Sequence, residues 1–517
     1  MIYSEDTWKQ WLSDNENFSD PRDSKRYIHF DHPFAVKQIG KLQSIFIRGN
    51  GLKNHDFLPL IKFVIKTPRY KYQENMEKYD LETKERPISF ASHFDSKIYA
   101  YYAHALNKKY QDYIVSKGFS EVVLAYRSDL DGKSNIQFAK EAFDTVKARG
   151  QCTALALDIK GYFDSIDHTI LKDQWSTILG GRLSEDDYAV YKSLTRYNYV
   201  NRISLLKHFS LKIRGKNAKH ISSFSQVLQG KTFSEKMQSV RDARLITKNS
   251  SYDLLPDGKK RFFGVPQGSS LSALLSNIYL LKFDEDMWQM GKIMNFSYRR
   301  YCDDILIICN SDDASEIQKN VIDKISKEYH LIIQDKKVDI IKFANNSKGQ
   351  IRAFNEKKRI EESIPSIDHT NEQRLYKALQ YLGFEFTGQK VLIRGTSLSR
   401  YMRKMRARIV KSVGMAYGSS GSNDRVFKQQ LLKRYTHLGN NNFLKYAYNA
   451  SLKTYKVKKG TKKGFDSPAI RNQLSRHFDI ILKSLALKND KRFNFKKNNP
   501  KNRGLVAKKV HNRKLKK

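Results

Sequence analysis

The sequence predicts an α+β fold built from several packing units, and three observations carry that prediction. Apolar runs of strand character border carboxylates, in Thr153–Asp158 and in the stretch that follows Asp304. Apolar residues recur at helical spacing from Leu271 to Leu281 and from Leu398 to Ile409. The 517 residues, 40 % apolar with 29 Tyr, 29 Phe and 4 Trp, supply a sizeable core and are too rich for a disordered chain. No run approaches the about 18 apolar residues of a membrane-spanning helix. The N-terminus, Met1-Ile-Tyr-Ser-Glu-Asp-Thr7, lacks the basic-then-apolar layout of a secretory signal. Cys152, Cys302 and Cys309 are too few for a disulfide framework or a four-cysteine zinc site. A soluble protein of a reducing compartment, with no membrane partner, is expected.

Charge points to the partner. Lys and Arg number 95 against 53 Asp and Glu, a net +42, which suits a polyanion and above all nucleic acid. Thirteen cations and one acid, Asp490, lie in Lys488–Lys517 and carry +12 of that total, so this stretch reads as a flexible basic tail. Lys390–Lys411 holds eight cations and no acid. There Arg400, Arg403, Lys404 and Arg408 fall off the apolar stripe of Leu398, Met402, Met405 and Ile409, which suggests a helix facing a polyanion. Gly414–Asp424 reads as a loop, and helices are expected over 426–435, 442–455 and 469–487. The first 150 residues support only a mixed α/β reading, and no repeat period is visible.

The most informative residues are acidic. Thr153-Ala-Leu-Ala-Leu-Asp158 is an apolar strand ending in a carboxylate, followed by Gly161, Tyr162, Phe163 and Asp164. A carboxylate at the end of a buried strand is costly unless a cation or hydrogen-bond donors meet it. Alone, Asp158 reads more often as a helix N-cap than as a metal ligand, and the second acidic segment reverses that. Phe296–Cys309 reads as two strands about a tight turn, and places the adjacent carboxylates Asp303 and Asp304 at that turn. In a regular strand the two would point to opposite faces, so only one shares a metal fully with Asp158. Magnesium takes a few carboxylates plus substrate phosphates. Two such ions about 3.5–4 Å apart activate an attacking hydroxyl and stabilise a leaving pyrophosphate. Between these segments, Gly264-Val-Pro266-Gln267-Gly268 delivers the chain to Ser269 or Ser270, either a suitable N-cap. The helix that follows presents Leu271, Leu274, Leu275, Ile278 and Leu281 on one face, and its small-residue entrance suits approach by a nucleotide.

In that order, Asp158-Ile-Lys-Gly-Tyr-Phe-Asp164, Pro266-Gln-Gly-Ser-Ser-Leu-Ser…Ser-Asn277 and Tyr301-Cys-Asp-Asp304 resemble reverse transcriptase palm motifs A, B and C. Tyr381-Leu-Gly-Phe384 resembles the primer grip. Leu331-Ile-Ile-Gln-Asp-Lys-Lys337 resembles motif D, with Val338 in place of the usual Thr. Lys84-Glu-Arg86-Pro87-Ile and Ala125-Tyr-Arg127 resemble the fingers motifs. The resemblance spans about residues 84–411 and is closest to bacterial retron, group II intron and abortive-infection or defence-associated enzymes. It implies a right-hand polymerase with fingers, a palm built on an antiparallel sheet, a helical thumb and a basic C-terminal extension. The implied layout is an N-terminal extension and fingers over 1–150, and a palm over 151–390 with a long fingers-like insertion at 168–263. A helical thumb and C-terminal helical region follow over 391–487, and the basic tail over 488–517.

The resemblance also assigns roles. Asp158, Asp303 and Asp304 become the catalytic, metal-binding carboxylates for two Mg2+ ions, with Mn2+ able to substitute. Phe163 becomes the gate against a ribose 2′-OH, Gln267 touches the incoming nucleotide, Arg86 its triphosphate, and Lys337 assists pyrophosphate departure. Tyr301, Leu382, Gly383 and Phe384, with Arg400, Arg403 and Lys404 of the basic helix, lie along primer and template. The implied activity is RNA-directed DNA synthesis from deoxynucleoside triphosphates. Its implied setting is an RNA template, expected to be a dedicated noncoding RNA, in bacterial cytoplasm and in phage defence, with a homo-oligomer allowed. Untemplated or protein-primed DNA synthesis is an alternative, as is RNA synthesis, since Asp158-x5-Asp164 also resembles the paired acids of RNA-dependent RNA polymerases. A non-catalytic RNA-binding scaffold is a third. Arg196-Tyr-Asn-Tyr-Val-Asn-Arg202, within the insertion, interleaves cations and aromatics in a way that suits stacking on unpaired bases, an ordinary helix face or a subunit contact.

Overall fold

The computed structural model describes residues 4–15, 27–47, 51–73, 78–211, 232–255, 257–417, 426–457 and 460–498. It is an α+β fold in which a five-stranded sheet carries the acidic motifs. The strand order is Ile351–Asn355, Asp339–Asn345, Cys152–Asp158, Asp304–Cys309 and Ser297–Tyr301. Cys152–Asp158 sits at the centre because its side chains are apolar on both faces, and it pairs antiparallel with Asp339–Phe343. The chain divides into two compact units. One comprises Met1–Asp129, Leu157–Ile307 and Asp313–Val338, and the other Leu130–Ala156, Ile308–Asp312 and Asp339–Lys517.

In the first unit, a long hairpin of Leu60–Gln73 and Lys78–Phe90 is extended on one side by Asn198–Asn201 and Ile246–Lys248. Asn198–Asn201 joins in parallel register, with Leu60 opposite Tyr199. The cation–aromatic segment Arg196–Arg202 is thus mostly strand rather than helix. Its side chains pack locally, since Lys62 lies over the Tyr199 ring at 4.6 Å and Arg202 over Phe63 at 5.6 Å. The 168–263 interval contributes helices His168–Leu179, Glu185–Thr195, Arg202–His208 and Phe233–Asp242, and 212–231 lie outside the described residues.

The helix His93–Ser116 begins over a buried polar cluster. Asp31 accepts from the backbone N–H groups of His93 and Phe94 at 3.0 and 2.9 Å, so a carboxylate meets the positive end of the helix. His29, fully buried beside it, accepts from the Phe30 N–H at Nδ1 (2.9 Å). Burial pushes the His29 imidazole down to about 3, against the raising influence of Asp31. Between about pH 3 and the unfolded histidine value of about 6.5, the unfolded chain takes a proton that the folded one refuses. This group therefore removes stability as pH falls through that window, by up to about 1.4 kcal/mol per pH unit. His29→Asn, which keeps an acceptor for Phe30, should flatten the dependence of the urea midpoint between pH 4 and 6.5. A variant as steep as the parent would show that His29 is not its source.

In the second unit, the basic helix forms over Gly395–Ala416. Its buried stripe is Tyr401, Met405, Ile409, Val413 and Ala416, rather than one starting at Leu398, because Tyr401 donates to the Tyr435 carbonyl at 2.6 Å and stacks on Phe443. Met405, Ile409 and Val413 pack with Leu431, Ile481 and Leu485. The helix expected over 426–435 forms at Lys428–Tyr435. That expected over 442–455 stops at Ser451, since Thr454–Val457 pairs as a strand with Gly460–Lys463. The one expected over 469–487 is two helices, Pro468–Leu474 and His477–Asn498. The second continues into the stretch read as tail, because Ile481 and Leu485 anchor its first turns in the core. Residues 499–517 of the tail, and 418–425 of the expected loop, lie outside the described residues.

Candidate active site

Three chain segments converge where the central strand ends. Asp158, half-buried, is the last residue of that strand, and the Ile159 N–H donates to the Asp303 carbonyl at 3.2 Å. The Asp158 carbonyl accepts from the Gln334 N–H at 2.9 Å, and the Lys160 N–H donates to Ile332 at 2.8 Å. Backbone bonds alone thus tie the Asp158, Asp303 and Lys337 segments together. Lys337 follows on the short turn Asp335–Lys337, and its Nζ lies 2.5 Å from Asp158 Oδ1. The two side chains are 42 % and 21 % exposed, so the ion pair is screened and its worth lies in placement rather than stability.

Asp303 is presented by a two-residue turn. Ser297–Tyr301 and Asp304–Cys309 are joined by Cys302 and Asp303, with Cys302 in the left-handed region at φ 58°. Asp303 is half-buried, while Asp304 opens the next strand and is exposed. Burial, followed by the nearby Asp303 charge, pushes the Cys302 thiol up to about 11, so the sulfur is protonated at neutral pH. Burial also raises the Tyr301 phenol.

Phe163 and Gln267 are brought together by the backbone. Gly161, at φ 57°, turns the chain into the short helix Tyr162–Ser165, and the Tyr162 hydroxyl donates to the Ser276 carbonyl. The Val265 N–H donates to the Phe163 carbonyl at 2.9 Å, and the Gly264 N–H to Ile166 at 2.9 Å. The Gln267 carbonyl then accepts from Ser89 at 2.8 Å. Gly268 is needed here: at φ 132°, a Cβ would stand 2.5 Å from the Ser89 carbonyl oxygen. Ser269 caps helix Ser270–Tyr279 by accepting from the Leu271 N–H at 3.2 Å. Arg86 lies exposed three residues before Ser89, on the strand this turn docks against.

The remaining residues belong to the second unit. Leu382 and Gly383, at φ 44° and 91°, form the turn between Leu379–Tyr381 and Phe384–Phe386, and the Arg394 N–H closes it on Gly383 at 3.0 Å. The Phe384 ring is fully buried, 4.6 Å from Phe465, which leaves the Leu382–Gly383 turn as the accessible part. Arg400, Arg403 and Lys404 are exposed on Gly395–Ala416.

Sequence reasoning assigned no role to a buried set behind the turn. Arg300 and Asp284 are both fully enclosed, with Nε–Oδ1 and Nη2–Oδ2 distances of 2.7 and 2.5 Å. Tyr298 donates to Asp284 at 2.6 Å, and Asn277 donates to the Ala125 carbonyl at 2.8 Å. The available signal was the alternation in Ser297–Tyr301, whose core-facing positions are Tyr298 and Arg300.

Among the described residues, no three His, Cys, Asp or Glu side chains converge to hold a metal. Magnesium demands less than that, since it keeps waters and phosphates and needs only one or two carboxylates. Asp158 and Asp303 are hard oxygen donors on segments joined by a backbone bond, and the ammonium beside Asp158 shows that its surroundings accept a cation. The residues present therefore fit a divalent ion.

The reverse transcriptase (RNA-dependent DNA polymerase) family matches residues 221–386. That interval contains Gln267, the Tyr301–Asp304 turn, Lys337 and the Leu382–Gly383 turn, and Asp158, Phe163 and Arg86 precede it. No curated protein matches. Similar solved structures include telomerase from Candida albicans with a TWJ fragment of telomeric RNA, at 13 % identity and TM-score 0.33, covering 90 % of this chain and 68 % of that one. Apo telomerase from Candida tropicalis is 13 % identical with TM-score 0.36, covering 89 % of this chain and 66 % of that one. A form of it truncated from the C-terminal domain is 10 % identical with TM-score 0.35, covering 65 % and 57 %. The chain carries a reverse transcriptase domain, and with it the enzyme class of RNA-directed DNA polymerases, which are nucleotidyltransferases.

Proposed function

We propose that this protein copies RNA into DNA by metal-assisted nucleotidyl transfer at Asp158 and Asp303. The observation that supports the reading is the backbone bond from Ile159 to the Asp303 carbonyl, which brings the Asp158 and Asp303 segments side by side although they lie far apart in the chain. Two Mg2+ ions, replaceable by Mn2+, supply Lewis-acid activation and charge neutralisation there when bound. Asp158 and Asp303 hold them, and exposed Asp304 is the third carboxylate. Gln267, set by the Gly268 turn, contacts the incoming base or sugar, and Arg86 the triphosphate. Lys337 Nζ, paired with the Asp158 carboxylate, is the cation assigned to assist pyrophosphate departure. Tyr301, the Leu382–Gly383 turn with Phe384 behind it, and Arg400, Arg403 and Lys404 line primer and template. Catalysis then rests on placement of a 3′-hydroxyl in line with the α-phosphate.

The motif resemblance to defence-associated enzymes supports a dedicated noncoding RNA as template, in bacterial cytoplasm and in phage defence. Sequencing the nucleic acid that co-purifies with the protein tests this: a single RNA species with its complementary DNA is expected, and bulk cellular RNA without DNA would overturn it.

Primer extension on an RNA template with deoxy- or ribonucleotides tests the chemistry. Deoxynucleotides should be strongly preferred, and a preference for ribonucleotides would replace this reading with RNA synthesis. Phe163 sits half-buried on the short helix Tyr162–Ser165, and its backbone carbonyl accepts from the Val265 N–H. Phe163→Val should raise the relative efficiency of ribonucleotide use by about 10–200-fold, the range for removing a steric contact. An unchanged ratio of kcat/KM values would remove Phe163 from the role of gate.

A further inference from the structure

We propose that Arg300 is a positioning residue for the Asp303 carboxylate, and that its buried partners Asp284 and Asn277 hold it for that task. The proposal rests on the polymerase reading above and adds a residue to it.

The Asp303 turn needs an external support. Cys302 occupies φ 58°, a conformation that non-glycine residues adopt only when their surroundings over-determine it. Arg300 Nη1 donates to the Cys302 carbonyl at 3.0 Å and so grips the turn at the strained residue. The guanidinium cannot swing away. Asp284 binds Nε and Nη2 bidentately, and Asn277 Oδ1 lies 3.4 Å from Nη1. The backbone of Arg300 is fixed as well, through bonds to Val122 and Leu124 at 2.8 and 2.9 Å.

Asn277 extends the clamp from the helix after the Pro-Gln-Gly turn to the Ala125 carbonyl. One planar cation therefore joins the segment 122–125, the helix Ser270–Tyr279 and the acidic turn. A buried ion pair is weak evidence of a stability role, since apolar residues of similar volume often serve as well. The fork geometry is what apolar residues and Lys both lack. Because the Asp303 carbonyl also accepts from Ile159, a shift of this turn changes how Asp303 meets Asp158.

The test compares the full chain with Arg300→Lys and with Phe283→Leu, a core change next to Asp284 whose ring packs on Tyr298 and makes no hydrogen bond to Arg300, Asp284 or Asn277. Two readouts are taken: kcat and KM for a deoxynucleotide in RNA-templated extension, and Mn2+ affinity of the nucleotide-free protein by electron paramagnetic resonance. Arg300→Lys should lower kcat by about 10–100-fold and weaken Mn2+ binding by about tenfold, the usual range for residues that orient metal ligands. KM should stay within about threefold. Phe283→Leu should lower the melting temperature and leave both readouts within about twofold. Arg300→Lys with kcat and Mn2+ affinity near the parent's would overturn the proposal, as would equal losses in Phe283→Leu.

Should Arg300→Lys fail to fold, Asn277→Ala leaves the ion pair intact and is read the same way, with an unchanged kcat overturning the proposal. A parent that binds Mn2+ but extends no primer would count against the polymerase reading, and the Mn2+ shift would still decide the role of Arg300.

Discussion

Asp303→Asn should cut deoxynucleotide incorporation by at least about a thousandfold, equivalent to about 4 kcal/mol of transition-state stabilisation. The side chain loses its charge and keeps its size, so the turn at Cys302–Asp303 has no steric reason to move. RNA retention should change by less than about threefold, because one charge is altered on a chain with a net +42. Asp304→Asn should cost less, under about a hundredfold, since Asp304 is exposed at the start of its strand whereas Asp303 is tied through its carbonyl to Ile159. Single-nucleotide extension with parallel fluorescence-anisotropy measurement of RNA binding checks both. Incorporation by Asp303→Asn within tenfold of the parent would remove this carboxylate from the chemistry.

Asp284→Ala should lower the free energy of unfolding by about 3–5 kcal/mol, the range for breaking a buried pair and leaving a charge uncompensated. Arg300 has no solvent to turn to, as both side chains are fully enclosed. Tyr298 also loses its acceptor at 2.6 Å. The double variant Asp284→Leu with Arg300→Met should recover most of that loss, because matched apolar residues avoid the desolvation penalty. It should not recover synthesis, since the grip on the Cys302 carbonyl is gone. Urea unfolding and primer extension, run on the same preparations, separate the two effects. A double variant as unstable as Asp284→Ala would mean that the destabilisation comes from packing rather than from the orphaned charge.

These two sites were legible to different degrees. The Asp303 turn stands out in the sequence because two adjacent acids before a continuously apolar strand have no bland explanation. The N-cap at Ser269 and the apolar face of the following helix were equally readable, from turn residues and a period of 3.6. Met405 and Ile409 are buried as the pattern has them, and periodicity fell short where a tertiary contact added to it or overrode it. On Gly395–Ala416 the stripe begins at Tyr401, an aromatic that the pattern of Leu and Met residues passed over, because it packs on Phe443 and bonds to Tyr435. The helix expected over 442–455 stops at Ser451, and Thr454 and Tyr455 are strand because Gly460–Lys463 offers a partner. The Arg196–Arg202 segment follows the same logic, since its pairing partner lies far back at Leu60–Lys62.

By itself the sequence determined the chemistry: which carboxylates are present, their order along the chain, the glycines that the tight turns require, and the excess of cations around them. Those properties are local, because periodicity, capping and turn geometry are settled by residues a few positions apart. Only the tertiary structure decided which groups meet. Lys337 reaches Asp158 across 179 positions, and Ile159 finds the Asp303 carbonyl. Arg300, which composition would count among the surface cations, is instead fully enclosed with Asp284 behind the acidic turn. The physical reason is desolvation: a buried polar group must find a partner somewhere in the fold, and the partner that satisfies it can lie at any distance along the chain.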